Sequence, residues 1–142
     1  MNTSNKAISN ETISNQTTDT ILQVKNLSTA FAGGPNQSSK FKVIEDVSFD
    51  LKKGEVLGVV GESGCGKSVT SLSIMRLLPQ PMGSIESGQI LFHGTDLTKL
   101  SVNEMYKIRG AKISMIFQEP MTALNPVHTV GKQMAEVFHL HQ

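Results

Sequence analysis

The sequence predicts an α/β fold in which an antiparallel β-subdomain precedes the opening strand, loop and helix of a parallel-sheet core. Three observations carry that expectation. Two long segments, "ILQVKNLSTAF" and "FKVIEDVSFDL", place apolar residues at the intervals of half-buried strands. The run "EVLGVVG" is short, almost wholly apolar and rich in β-branched residues, the composition of a strand covered on both faces. It leads straight into "GESGCGKS", residues 61–68, and then into a segment with helical apolar spacing.

Taken in order, residues 1–20 are nearly all Asn, Ser, Thr and similar polar types, which cannot bury enough surface to offset ordering, so a disordered tail is expected. Residues 21–142 are expected to form the folded part. Its first strand is anchored by Leu22, Val24 and Leu27, and "AGGPNQSSK" follows as a loop. The second strand takes Val43, Val47, Phe49 and Leu51 as anchors and ends in a glycine turn, "KKGE". After the glycine-rich stretch, Val69, Leu72, Ile74 or Met75, and Leu78 mark one helical face, closed by Pro79. "SGQILFHG" reads as a further strand. "SVNEMYKIRG" reads as a short helix, because Ser101 and Glu104 have capping-box spacing and Gly110 ends it. "AKISMIFQ" reads as a strand and "EPMTALNP" as a loop. "TVGKQMAEVFHL" reads as an amphipathic helix carrying Val130, Met134, Val137 and Phe138.

Composition removes several function classes. The 142 residues carry a formal charge of +1 with Lys and Arg scattered, which gives no basic face for nucleic acid. No apolar stretch approaches the roughly 18 residues that span a bilayer, and the N-terminus lacks a signal-peptide pattern. A single cysteine forms no internal disulfide. His93, His128, His139 and His141 have no metal-ligand spacing, and His139-x-His141 on a helix points to different faces.

"GESGCGKS" has the form Gly61-x-x-x-x-Gly66-Lys67-Ser68, a phosphate-binding loop. Between a strand and a helix the backbone must curl so that its N–H groups point at phosphate oxygens. Glycine permits that curl and a close approach. The helix N-terminus adds partial positive charge where the phosphates lie. The candidate nucleotide-binding set is therefore Gly61, Glu62, Ser63, Gly64, Cys65, Gly66, Lys67, Ser68 and Val69, with ATP and Mg²⁺ as the implied ligands. Lys67 is expected to reach the β- and γ-phosphates and the Ser68 hydroxyl to ligate Mg²⁺. Cys65 reads as a small loop residue, since no base is nominated to activate it.

The segments "VIEDVSFDLKKGEVLGVVGESGCGKSVTSLSIMRLLP", "SGQILFHGTDLTKLS" and "ISMIFQEPMTALNPVHTVGKQMAEV" resemble the N-terminal half of the ATP-binding subunits of ABC transporters, in the oligopeptide/dipeptide (and glutathione or nickel) importer group. The resemblance covers nearly everything from Ile21 onward. It implies that Gln118 is the glutamine of the Q-loop, residues 118–126, contacting Mg²⁺ and the attacking water, so Gln118 joins Lys67 as a catalytic candidate and Ser68 as a metal ligand. A glutamine amide both donates and accepts without changing charge. The resemblance also implies that Phe31 stacks on adenine, with Phe41 as an alternative platform. Transmembrane permease subunits and a second nucleotide-binding subunit are the implied partners. A periplasmic or extracellular solute-binding protein is an indirect partner, and the cytoplasmic face of the membrane is the implied location.

Two of the family's elements are not found in this sequence. The signature Leu-Ser-Gly-Gly-Gln does not occur, and "ESGQI" at residues 86–90 is a turn into a strand. After Gln118 no apolar run ends in Asp-Glu, and Glu119 is not that catalytic glutamate. The expectation is a form truncated at the start of the helical subdomain, binding ATP at most and hydrolytically incompetent by itself. The other readings are a non-functional fragment of a split reading frame and a soluble, non-transport ABC ATPase.

Overall fold

A computed structural model describes residues 19–33, 39–118 and 124–141. The expected tail therefore lies outside the described residues except for its last two, and there the boundary shifts. Thr20 already belongs to the first strand, β1 (Thr20–Ala32), because it pairs with Lys52 of β2 (Lys40–Lys52). The Lys53 N–H donates to Asp19 O at 2.7 Å, so the ladder continues into the turn after β2.

β1 is central. It pairs antiparallel with β2 on one edge and with β3 (Gly83–Phe92) on the other, and β4 (Thr95–Asp96) closes the order β2-β1-β3-β4. This is the expected antiparallel subdomain. Its core consists of Val24 and Leu27 from β1, Ile90 from β3, Leu97 and Met105. Strict alternation fails in the middle of all three long strands. Asn26, Asp46 and Gly88 each take a left-handed conformation there. In β1 the buried phase slips between Val24 and Leu27, and in β2 between Ile44 and Val47. Ile44 is thus the fully buried residue of β2, while Val43, Val47, Phe49 and Leu51 are half-buried. Side chains stitch the bulges together. The Asn26 N–H donates to Ser48 Oγ at 2.8 Å, the Asp46 N–H donates to Ser28 Oγ at 3.1 Å, and Asn26 Nδ2 donates to Asp46 Oδ1 at 2.6 Å.

Helix α1 (Lys67–Ile74) ends earlier than its apolar pattern suggests, because Arg76 turns left-handed. Its terminal carbonyls are not left bare. Arg109 donates from Nε to Met75 O at 2.8 Å and from Nη2 to Arg76 O at 2.7 Å. Arg76 in turn donates from Nη1 to Leu97 O and Leu100 O, at the start and the C-cap of the 3₁₀ turn Leu97–Lys99. Helix α2 (Val102–Tyr106) forms with the capping box expected of Ser101 and Glu104. The Ser101 hydroxyl and N–H hold the Glu104 carboxyl below its ordinary value. Helix α3 (Val130–His141) is amphipathic as expected, and its Val130, Met134, Val137 and Phe138 are exposed. No helix among the described residues is long and apolar enough to cross a membrane.

Two expected strands do not form. Residues 55–60 and 114–117 lie outside every ladder, and Val56 (94% exposed), Val60 (93%) and Ile116 (95%) face solvent. A core strand is defined by hydrogen-bonded neighbours and, when apolar all round, by cover on both faces. Among the described residues no strand lies beside either segment, so their composition has nothing to pair with or bury against.

The bulge at Gly88 gives a direct test. A Cβ there would lie 2.5 Å from Asn26 O, 2.6 Å from Leu27 Cα and 2.6 Å from Lys25 O, all backbone atoms of the central strand. With left-handed strain added, Gly88→Ala is expected to cost more than about 3 kcal/mol in urea-unfolding stability. A loss under about 1 kcal/mol would show that the strands separate freely at this point.

Candidate functional site

The loop before α1 is built from glycine conformations that side chains resist. Gly64 and Gly66 have φ values of 83° and 97°. Gly66 is the N-cap and is buried: a Cβ there would lie 3.2 Å from Val43 O and 3.3 Å from Ile44 Cγ1 of β2. The first hydrogen bond into α1 runs from the Thr70 N–H to Gly66 O at 2.8 Å. The amides of Lys67, Ser68 and Val69 precede it, and no side chain caps them. No acidic residue lies in the first turn either. Uncapped donors at a helix start, with no carboxylate in the first turn, favour an anion.

Lys67 closes the loop from inside. Its ammonium donates to Gly61 O at 2.8 Å and Glu62 O at 2.7 Å, and lies 3.4 Å from Cys65 Sγ. Cys65 also limits what position 61 tolerates, since a Cβ on Gly61 would sit 2.5 Å from its sulfur.

Residues 63–69 and Gln118 line one cleft of about 360 Å³. Gln118 is far off in sequence, yet the fold delivers it to the loop. Of the candidates, Gly61 and Glu62 do not line the cleft and touch it only by holding Lys67 through their carbonyls, whereas Ser68 and Gln118 share its wall. Of the expected Q-loop, residues 119–123 lie outside the described residues. Phe31 does not line this cleft. It is half-buried, its ring close to Gly83, and it stacks with Phe41 at 6.2 Å between centroids and 23° between planes.

A larger hollow, about 690 Å³, lies elsewhere, among Ile85, Met105, Arg76 and Arg109. Both guanidiniums there already donate to backbone carbonyls, so the smaller cleft at the loop is the better ligand site. Sequence reading missed Thr29 and Ser73, buried hydroxyl residues that join α1 to β1, and Thr70, buried and bonded within α1. Their only signal was polar residues at core-facing positions.

The fold and the loop together define a class, the phosphate-loop NTPase fold. Residues 44–141 match the ABC transporter family model, more than half of the chain. The chain belongs to the ABC transporter family. It is 49% identical over 128 residues to a probable peptide ABC transporter ATP-binding protein of Sinorhizobium fredii, covering 90% of this chain and 37% of that protein. It is 54% identical over 124 residues to a dipeptide transport ATP-binding protein of Bacillus subtilis, covering 86% of this chain and 36% of that one. The chain thus spans about a third of the length of these relatives. Among solved structures, a bacterial ABC transporter cassette in dimeric form aligns with a TM-score of 0.71 at 23% identity, covering 85% of this chain and 48% of that one. At that identity the likeness concerns the fold.

Gly66→Ala tests how the loop is held. It combines left-handed strain with contact on β2, so it is expected to lower urea-unfolding stability by about 1–3 kcal/mol. Unchanged stability would mean that the loop is not seated on β2.

Proposed function

We propose that this segment is the ATP-binding part of the energy-coupling subunit of an ABC importer for peptides or similar small solutes. The observation that carries the reading is the convergence of Gln118 with residues 63–69 in one cleft. A phosphate loop alone is shared by many nucleotide-binding proteins; a glutamine from a later segment on the same cleft wall narrows the choice. The relatives described above, one for peptides and one for dipeptides, favour that solute class.

In this reading the amides of Lys67, Ser68 and Val69 and the backbone of the glycine loop bind the phosphates of ATP. Lys67 exchanges its bonds to Gly61 O and Glu62 O for phosphate oxygens, so the ammonium stays partnered with or without ligand. Ser68 and Gln118 offer a hydroxyl and an amide oxygen, hard neutral donors that suit Mg²⁺ while leaving positions for phosphate and water. The bound Mg²⁺ would neutralise phosphate charge. The base end falls to Phe31, or to the more exposed Phe41 stacked with it.

Hydrolysis requires groups that these 142 residues do not contain, namely the Asp-Glu pair and the Leu-Ser-Gly-Gly-Gln signature. Phosphoryl transfer depends on positioning and charge stabilisation, so this segment by itself binds without turnover. In a complete subunit the partners would be transmembrane permease subunits and a second nucleotide-binding subunit, at the cytoplasmic face of the membrane. A solute-binding protein would act indirectly.

Binding of Mg-ATP and steady-state hydrolysis by the purified chain test the reading. Saturable binding without turnover is expected. Lys67→Ala should weaken binding by about 1.5–3 kcal/mol, the worth of a charge-assisted hydrogen bond. An affinity unmoved by that change would place the phosphates elsewhere, and lysine-dependent turnover would refute the claim of incompetence. Phe31→Ala should weaken ATP while leaving inorganic triphosphate unaffected; an unchanged ATP affinity would remove Phe31 from the site.

A further inference from the structure

Helix α1 presents a polar face to the sheet. Its buried residues are Thr70 and Ser73, one turn apart, whereas Val69, Leu72 and Ile74 are only half-buried. Thr70 bonds within its own helix, donating from Oγ1 to Gly66 O at 3.0 Å. Ser73 reaches across. It is 0% exposed, as is Thr29 of β1, and the two hydroxyl oxygens are 3.0 Å apart. The proton count gives the direction. Ser73 Oγ already donates to Val69 O at 2.7 Å, and a hydroxyl has one proton, so Thr29 Oγ1 donates and Ser73 Oγ accepts.

This bond joins the central strand of the sheet to the last turn of the helix whose first turn carries the phosphate loop. At its other end α1 meets the sheet through Gly66, seated on Val43 O and Ile44 Cγ1 without a side chain. Such a seat fixes a distance rather than a rotation, and at the far end Arg109 meets carbonyls beyond the last residue of α1 while Ile74 packs against the core. The Thr29–Ser73 bond adds a directional link from the side of the helix to the central strand, which restrains its rotation further. Turning the helix would swing the amides of Lys67, Ser68 and Val69 away from the cleft. Phe31 lies two residues beyond Thr29 on the same strand, so one bond ties the phosphate end of the site to its base end.

We propose that Thr29 and Ser73 are positioning residues for the phosphate loop, fixing the rotation of α1 so that its first-turn amides and Lys67 face the cleft. Neither residue touches the nucleotide. The inference rests on the nucleotide reading above.

The test uses the full 142-residue chain and measures Mg-ATP affinity, AMP affinity and the thermal midpoint. Thr29→Val is nearly isosteric and deletes only the donor. It should lower ATP affinity about five-fold or more, while AMP, which lacks the β- and γ-phosphates, binds as before. Thr29→Ser should restore ATP affinity. Ser73 keeps its bond to Val69 O in Thr29→Val, so adding Ser73→Ala removes no further link to the sheet and should lower ATP affinity no further, while the thermal midpoint shows that each variant is folded. An unchanged ATP affinity in Thr29→Val, an equal fall for AMP, or a further loss of ATP affinity in the double variant would each overturn the proposal. A wild-type chain that binds no ATP would remove the nucleotide reading as well; one that binds ATP with indifferent variants would remove this inference alone.

Discussion

β1 hydrogen-bonds along both of its edges, to β2 and to β3, and the rest of the described structure depends on that double pairing. It places Val24 and Leu27 at the centre of the core, where Ile90, Leu97 and Met105 close around them. The same strand holds α1 through Thr29 and carries Phe31. The three left-handed positions, Asn26, Asp46 and Gly88, bring the backbones of adjacent strands so close at the bulge that only glycine fits on β3. A sheet bent and locked in this way is a rigid platform, and the proposed phosphate loop needs one. In that proposal its chemistry is exerted by backbone amides, which can be aimed only by fixing the chain that bears them.

Attachment of α1 shows how a short helix is held without a large apolar face. At its start Gly66 lies directly on β2; at its end Arg109 takes up the carbonyls of Met75 and Arg76. Between them the buried Ser73 meets Thr29. Every buried polar side-chain atom among the described residues has a hydrogen-bond partner, so the polar face carries no desolvation penalty from unmet groups. Hydrogen bonds specify direction where apolar packing would tolerate sliding. That suits the proposal that the orientation of α1, rather than its mere presence, governs the ligand site.

The contrast between the two halves of the chain is physical. The antiparallel sheet is made of segments that pair with one another, so it is complete among the described residues. The apolar runs at 55–60 and 114–117 have the composition of core strands, but a strand of a parallel sheet depends on neighbours and on covering helices. No described segment supplies them, and most of their side chains, Val56, Val60 and Ile116 above all, remain in solvent. The apolar stripe of α3 is exposed in the same way. These segments account for much of the exposed apolar surface.

Local patterns were sufficient wherever a structure depends on neighbours in sequence. The capping box at Ser101 and Glu104, the glycine loop at 61–68, the start of α1 at Lys67 and the strands around Leu22, Ile44 and Ile90 were all legible. Each follows from backbone preference or apolar spacing within a few residues. The phosphate-loop class was legible for the same reason, since the amides, glycines and lysine that make it are consecutive. Tertiary structure alone decided the slip of phase at Asn26 and Asp46, the early stop of α1 at Arg76 and the meeting of Gln118 with residues 63–69. It also decided the bond between Thr29 and Ser73. Those depend on groups distant in sequence, whose encounter is set by how the chain folds back on itself and leaves no local pattern.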